Sequence, residues 1–138
     1  MLRVVLDPGV LVSAVLSDSG PPARILDRWR DGEFDLVVSP LLLGELEQVL
    51  LRPKFHEVAS EMEVAAYVDA LAQGGVLLPD PAQVPAVATD PGDDYLVALA
   101  RASGADAIVS GDKHLTQLTD PPVIVLTPRE FLERLERG

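Results

Sequence analysis

Four carboxylates stand out by their positions in the chain: Asp7, Glu45, Asp94 and Asp112. Each falls after a short apolar run. Asp7 closes Val4-Val5-Leu6, and Asp112 follows Ala107-Ile108-Val109 within Ser110-Gly111-Asp112. Glu45 lies early in the helical stretch behind Leu36-Val37-Val38. Asp94 comes after the loop that follows Val76-Leu77-Leu78. Carboxylates gathered in one crevice repel one another, and a hard divalent cation resolves that conflict. Mg2+ and Mn2+ prefer oxygen ligands. An ion of this kind activates water, and a pair of them can stabilise the attacking and leaving oxygens of a phosphodiester. The chemistry these residues suggest is therefore metal-assisted hydrolysis at a site built from the four carboxylates. No side-chain nucleophile is needed. Zinc is a poor fit, because the chain has no Cys and its two histidines, His56 and His114, show no ligand spacing.

Each acid also has an ordinary structural role open to it. Asp7 precedes Pro8 and can cap a helix. Asp93 and Asp94 suit the positive end of a helix dipole. A lone glutamate such as Glu45 is commonly just solvated, and Asp112 after Ser-Gly can be a turn residue. Ser13, Ser39 and Ser110 can bond ligands or water, but caps and turns are their commoner use.

The elements that must position these acids are legible as alternating apolar runs and helical patterns. Strands are expected at residues 2–6, 36–38, 76–78, 107–109 and 123–126. Helices are expected at 10–16, 23–30 and from Pro40, capped by Ser39, to residue 51. Another runs from Ser60, with capping-box spacing to Glu63, to residue 73, where Gly74-Gly75 breaks it. A proline-rich loop is expected over 79–91, then a helix beginning at Asp93 or Asp94 and ended by Gly104. Thr127-Pro128-Arg129-Glu130 combines proline at the first helical position with a second capping box and opens the last helix. Strands separated by helices imply βαβ units and a parallel sheet covered on both faces. All four acids then fall at the carboxyl edge of the sheet, where ligands bind in such folds. If the first and fourth strands are neighbours, Asp7 and Asp112 face each other across the crevice.

The bulk composition bounds the class of protein. One domain is expected over residues 1–138, with 48% hydrophobic residues to build its core. No apolar run approaches the ~20 residues needed to cross a bilayer, and residues 1–7 lack the apolar length of a signal peptide. The absence of cysteine is compatible with a reducing compartment. A soluble, cytoplasmic protein is expected. The net charge of −11, from 22 acidic and 11 basic residues, argues against broad electrostatic capture of nucleic acid. Screening over about 8 Å in cellular salt hides distant acids, so phosphate contacts have to be local. Arg24, Arg28, Arg52, Lys54, Arg101 and Lys113 are the candidates. Trp29 has the spacing of a core residue, and neither Tyr67 nor Tyr95 suggests a base-stacking platform.

The segments around the acids resemble the PIN-domain family, specifically the toxin components of toxin–antitoxin pairs (VapC-like). Val4 to Ala14, with Asp7-Pro8-Gly9 inside it, looks like the family's opening motif. Gly20-Pro21-Pro22-Ala23-Arg24, Val37-Val38-Ser39 and Gly44-Glu45-Leu46 continue the match. Asp90 to Ala100, Val109-Ser110-Gly111-Asp112-Lys113 and Leu126 to Leu132 resemble its later blocks, in order. The resemblance implies a three-layer α/β/α fold with a five-stranded parallel sheet of order 3-2-1-4-5. It carries the family's metal-binding acids onto Asp7, Glu45, Asp94 and Asp112, with Asp93 able to replace or support Asp94. It also implies a Mg2+- or Mn2+-dependent endoribonuclease, an RNA substrate, an antitoxin partner and a homodimer. Two departures stand beside it. Pro8-Gly9 occupies the place of the usual Thr-Asn, and His114 stands where a further Asp is common.

Two other readings follow from the same residues. A fold that keeps its acids but has lost turnover would be a binding module for RNA or an antitoxin. A phosphoacceptor receiver domain shares an acidic crevice on a doubly wound sheet. It would need an acceptor Asp at the end of a middle strand, and here the third strand runs into Leu78-Pro79-Asp80.

Overall fold

Val4, Val5 and Leu6 have no exposed surface at all, as expected of a strand covered on both faces. They belong to Arg3–Leu6 (β1), the central strand in a computed structural model that describes residues 1–82, 91–117 and 123–138, without the side chains of 91–93. The other strands are Asp35–Val38 (β2), Val76–Leu77 (β3), Ala107–Val109 (β4) and Val125–Leu126 (β5). All neighbouring pairs are parallel, and the order is β3-β2-β1-β4-β5. This is the predicted three-layer α/β/α arrangement. The chain steps from β1 to one side and later returns to place β4 on the other, so the sheet's switch point lies between β1 and β4.

Among the described residues, seven α-helices lie between or after the strands: Pro8–Leu16 (α1), Pro21–Arg30 (α2), Pro40–Leu50 (α3), Glu61–Gly74 (α4), Pro91–Ser103 (α5), Lys113–Thr116 (α6) and Pro128–Glu136 (α7). Five of them begin on proline. Proline's fixed φ suits the first helical position, and the N–H it lacks would have had no partner there. That rule places the starts of α3 and α7 correctly. It also explains why α1, α2 and α5 start at Pro8, Pro21 and Pro91, each two or three residues before the expected start. The expected loop over 79–91 is thereby shortened at its end, and its residues 83–90 lie outside the described residues.

Both predicted capping boxes are present. Ser60 Oγ accepts from Glu63 N at 3.1 Å, while Ser60 N donates to Glu63 Oε1 at 3.0 Å. Thr127 and Glu130 make the same reciprocal pair at 3.1 and 2.9 Å. Gly75 separates α4 from β3 because nothing larger fits: a Cβ there would come within 2.7 Å of the Leu71 carbonyl and 3.0 Å of the Leu36 carbonyl. Gly104 ends α5 at a φ of +68°, which a side chain would resist. The core includes Leu11, Ile25, Leu42, Leu46, Leu71, Leu96 and Leu99. Trp29 packs partly buried against it, as its spacing suggested. Phe34 before β2 meets Phe131 of α7 edge-to-face at 5.2 Å, tying the last helix to the start of a strand.

Candidate functional site

Asp7 leaves the sheet at the switch point. Its backbone N–H still donates to the Val109 carbonyl at 2.9 Å, extending the β1–β4 ladder by one bond. Its side chain turns to two donors: Oδ1 accepts from Gly9 N at 3.0 Å, and Oδ2 accepts from Ser110 Oγ at 2.7 Å. The first bond makes Asp7 the N-cap of α1, so the ordinary role open to this residue is indeed filled. It also gives Asp7 a backbone donor at the position where the family's usual motif offers a polar side chain.

Ser110 is the joint of the site. It is completely buried, and its hydroxyl both donates to Asp7 and accepts from Asp112 N at 2.9 Å. Asp112 Oδ1 in turn accepts from His114 N at 2.8 Å and caps the short helix α6. One chain of hydrogen bonds therefore runs from the first acid to the fourth. Its existence depends on β1 and β4 being neighbours, which the pairing of Leu6 with Val109 secures.

Glu45 approaches from another direction. It lies on α3, whose start is fixed by the buried cap Ser39, with Oγ accepting from Leu42 N at 3.3 Å. Glu45 Oε2 accepts from Tyr95 Oη at 2.7 Å, a bond between α3 and α5. Asp94, the residue before Tyr95, is buried at 6% exposure. The side chain of Asp93 lies outside the described residues.

Three of the four acids are thus brought together, on three segments, while Asp94, on α5 beside Tyr95, is not among the described residues lining the hollows that hold them. Asp7, Glu45 and Asp112 line a single hollow of about 420 Å3, together with Gln48, Arg52 and Leu96. Asp7 and Asp112 also form one wall of a second hollow, of about 360 Å3, beside Ser13 and Gly111. A larger hollow of about 480 Å3 lies elsewhere, against α1, α2 and α4, and none of the four acids lines it. There Tyr67 donates to the Leu11 carbonyl at 2.9 Å, and burial pushes its phenol well above its ordinary pKa.

Among the described residues, no three acidic or histidine side chains already stand close enough together to enclose an ion. The donor set nonetheless suits a hard cation. It is all oxygen, and the bonds made by Glu45 Oε2 and Asp112 Oδ1 leave further lone pairs on both carboxylates. Mg2+ keeps several waters and needs only one or two direct carboxylates, so a ready-made cage is not required.

Two residues of the site, Tyr95 and Gln48, were not singled out as site residues from the sequence. Tyr95 is tied to Glu45 only because α5 packs near α3. The signal for Gln48 was present: it stands three residues after Glu45 and so shares its helix face. Of the basic candidates, Arg24 and Arg28 are engaged elsewhere. Arg24 bonds Glu136 at 3.0 Å, and Arg28 bonds Glu33 at 2.9 Å.

A parallel 3-2-1-4-5 sheet with carboxylates collected at its switch point defines an α/β protein with an acidic crevice. The sequence profile of the PIN domain matches residues 3–114, a span that contains all four acids, and the chain belongs to the PIN domain family. PIN domains are generally nucleases that use divalent metal ions. The uncharacterized protein MJ1680 of Methanocaldococcus jannaschii is 29% identical over 146 aligned positions, covering 99% of this chain and 93% of that protein. Among solved structures, PAE2754 from Pyrobaculum aerophilum superposes with a TM-score of 0.67 at 17% identity, covering 99% of this chain and 91% of the other. VapBC2 from Rickettsia felis, bound to a DNA fragment from its promoter, gives a TM-score of 0.63 at 12% identity, covering 91% and 98%. At these identities the two structures speak to the fold alone.

Proposed function

We propose that this PIN domain is a Mg2+- or Mn2+-dependent endoribonuclease and the toxin of a toxin–antitoxin pair. The observation that carries the reading is the shared hollow: Asp7, Glu45 and Asp112, brought from β1, α3 and the end of β4, line it together. Asp7, Asp94 and Asp112 are the proposed ligands, with Glu45 as a further one. The bound ion supplies charge to activate water and to stabilise the oxygens of the phosphodiester. The chain's own residues prepare that site. Ser110 fixes the mutual orientation of Asp7 and Asp112, and Tyr95 holds Glu45 toward the same hollow. The likeness in fold to the toxin–antitoxin complex of Rickettsia felis supports the choice of an antitoxin as partner. A homodimer and a cytoplasmic location belong to the same reading. Among the described residues, no helix is long and apolar enough to cross a membrane.

The test is cleavage of total cellular RNA with and without Mn2+. Wild type should cut only with the metal, and Asp7→Asn should lose activity by a factor of a hundred or more, the scale on which loss of a key transition-state contact is felt. Cutting that survives both EDTA and Asp7→Asn rules the reading out.

A second reading rests on Pro8-Gly9 in the place of the family's usual Thr-Asn and on His114 in the place of a further Asp. It keeps the fold and the partner but not the turnover, leaving a module that grips RNA or an antitoxin. Mn2+ binding without any RNA cleavage by the wild type would favour it.

A further inference from the structure

We infer that Arg52 is a phosphate-binding residue of this site, taking a backbone phosphate of the nucleic acid beside the linkage that is cut. The inference rests on the nuclease reading and deepens it by naming how an acidic chain holds a polyanion.

The net charge of −11 makes general attraction unavailable, so the contact has to be local. The structure sorts the six basic candidates. Arg24 and Arg28 are bonded to Glu136 and Glu33, tying α2 to α7 and to the turn that follows α2. Lys54 sits over the Phe55 ring at 5.0 Å from its centroid. Arg101 belongs to the last turn of α5, which ends at Ser103, before β4 begins; it is therefore at the other edge of the sheet. Lys113 opens α6 and is not among the described residues lining either acidic hollow. Arg52 alone of the six lines the hollow that holds Asp7, Glu45 and Asp112.

Its placement follows from the end of the helix. Glu45 and Gln48, three residues apart, share one face of α3, and Arg52, in extended backbone just past the helix end, lines the same hollow. The backbone at Arg52 is pinned on both sides: its N–H donates to the Val49 carbonyl at 3.2 Å, and its own carbonyl accepts from Phe55 N at 3.0 Å. The ion pairs found among the described residues do not include Arg52, although three carboxylates line the same hollow. A residue serving only to neutralise those acids would sit within bonding distance of one. A guanidinium near them but apart from them has its planar fork of donors open to an anion, and phosphate matches that fork bidentately. Gln48 adds a neutral amide donor on the same wall.

The experiment measures binding of a labelled RNA fragment that the wild type is seen to cut, over a salt series. Asp7→Asn serves as the common background, so that cleavage does not intervene. Arg52→Ala should weaken binding about tenfold and lower the slope of log K against log salt by about one. Arg52→Lys should restore most of the slope but less of the affinity. Arg24→Ala, the ion-paired control, should leave the slope unchanged. In the otherwise wild-type protein, Arg52→Ala should keep the full Mn2+-induced rise in Tm. An unchanged affinity and slope in Arg52→Ala overturns the inference while leaving the nuclease intact. Loss of the Mn2+ response in that variant also overturns it, by placing Arg52 in the metal site or the fold. Absence of any RNA cleavage by the wild type removes the nuclease reading, and the inference falls with it.

Discussion

Ser110 concentrates more of the site's geometry than any of the acids it serves. Its hydroxyl makes two bonds in a place with no access to water, so its removal is not repaired by solvent. Ser110→Ala leaves Asp112 N without its acceptor and takes one donor from Asp7. A buried polar group stranded in this way costs about 1–3 kcal/mol. Loss of a residue that orients metal ligands weakens the metal by ~10–100-fold. We therefore expect Ser110→Ala to lower stability in urea by that amount and to shift the Mn2+ titration, with the fold retained. An unaltered Mn2+ titration would mean that the hydroxyl serves the strand ends alone. The sequence offered Ser110 as a contact for ligand or water and, more commonly, as a cap or turn residue, but not as a bridge between two acids, because a serine's partners lie across the sheet and leave no local trace.

Helix starts show how far local chemistry reaches at the level of the element. Pro40 and Pro128 were legible as first helical residues because Ser39 and Thr127 precede them as caps. Pro8, Pro21 and Pro91 obey the same rule and were placed in the segments before their helices. Asp7 before Pro8 was the signal, and its capping bond to Gly9 is the proof. The short helix α6 escaped notice because four residues carry no periodicity. The two capping boxes lead to a pH dependence. Glu63 and Glu130 are held below the ordinary carboxylate range, first by the backbone N–H of the cap residue and then by its hydroxyl. A carboxyl with a lowered folded-state pKa adds stability above its unfolded value. That contribution is lost as pH falls through the folded value. Glutamine keeps the capping bond without the charge. The stability gap between wild type and the Glu63→Gln/Glu130→Gln variant should therefore be full at neutral pH and close under acid conditions. Urea melts across pH check this, and a gap that persists in acid contradicts it.

For the whole molecule, the proposed metal site predicts a link between metal binding and stability. A ligand that binds only the folded state adds roughly 2.7 kcal/mol at about a hundredfold excess over Kd. In a domain of this size that raises Tm by on the order of 8 °C. Mn2+ should do so for wild type and much less for Asp7→Asn or Asp94→Asn. Equal shifts in all three proteins would remove these acids from the metal site. The same comparison bears on Asp94, which is buried in α5 beside the tyrosine that holds Glu45.

The chain's own residues determined the parallel α/β class, the helix caps and the position of four acids after strand ends, because each of these is written in spacings of two to four residues. The family resemblance added the strand order. Tertiary structure decided what those acids do to one another. It made β1 and β4 neighbours, so that one buried hydroxyl could bridge Asp7 and Asp112, and it packed α5 near α3, so that Tyr95 could reach Glu45. It also decided which cations are spent on Glu33 and Glu136 and which one faces the acids. Contacts such as these join residues fifty to a hundred positions apart. Only the closing of the sheet brings them within reach.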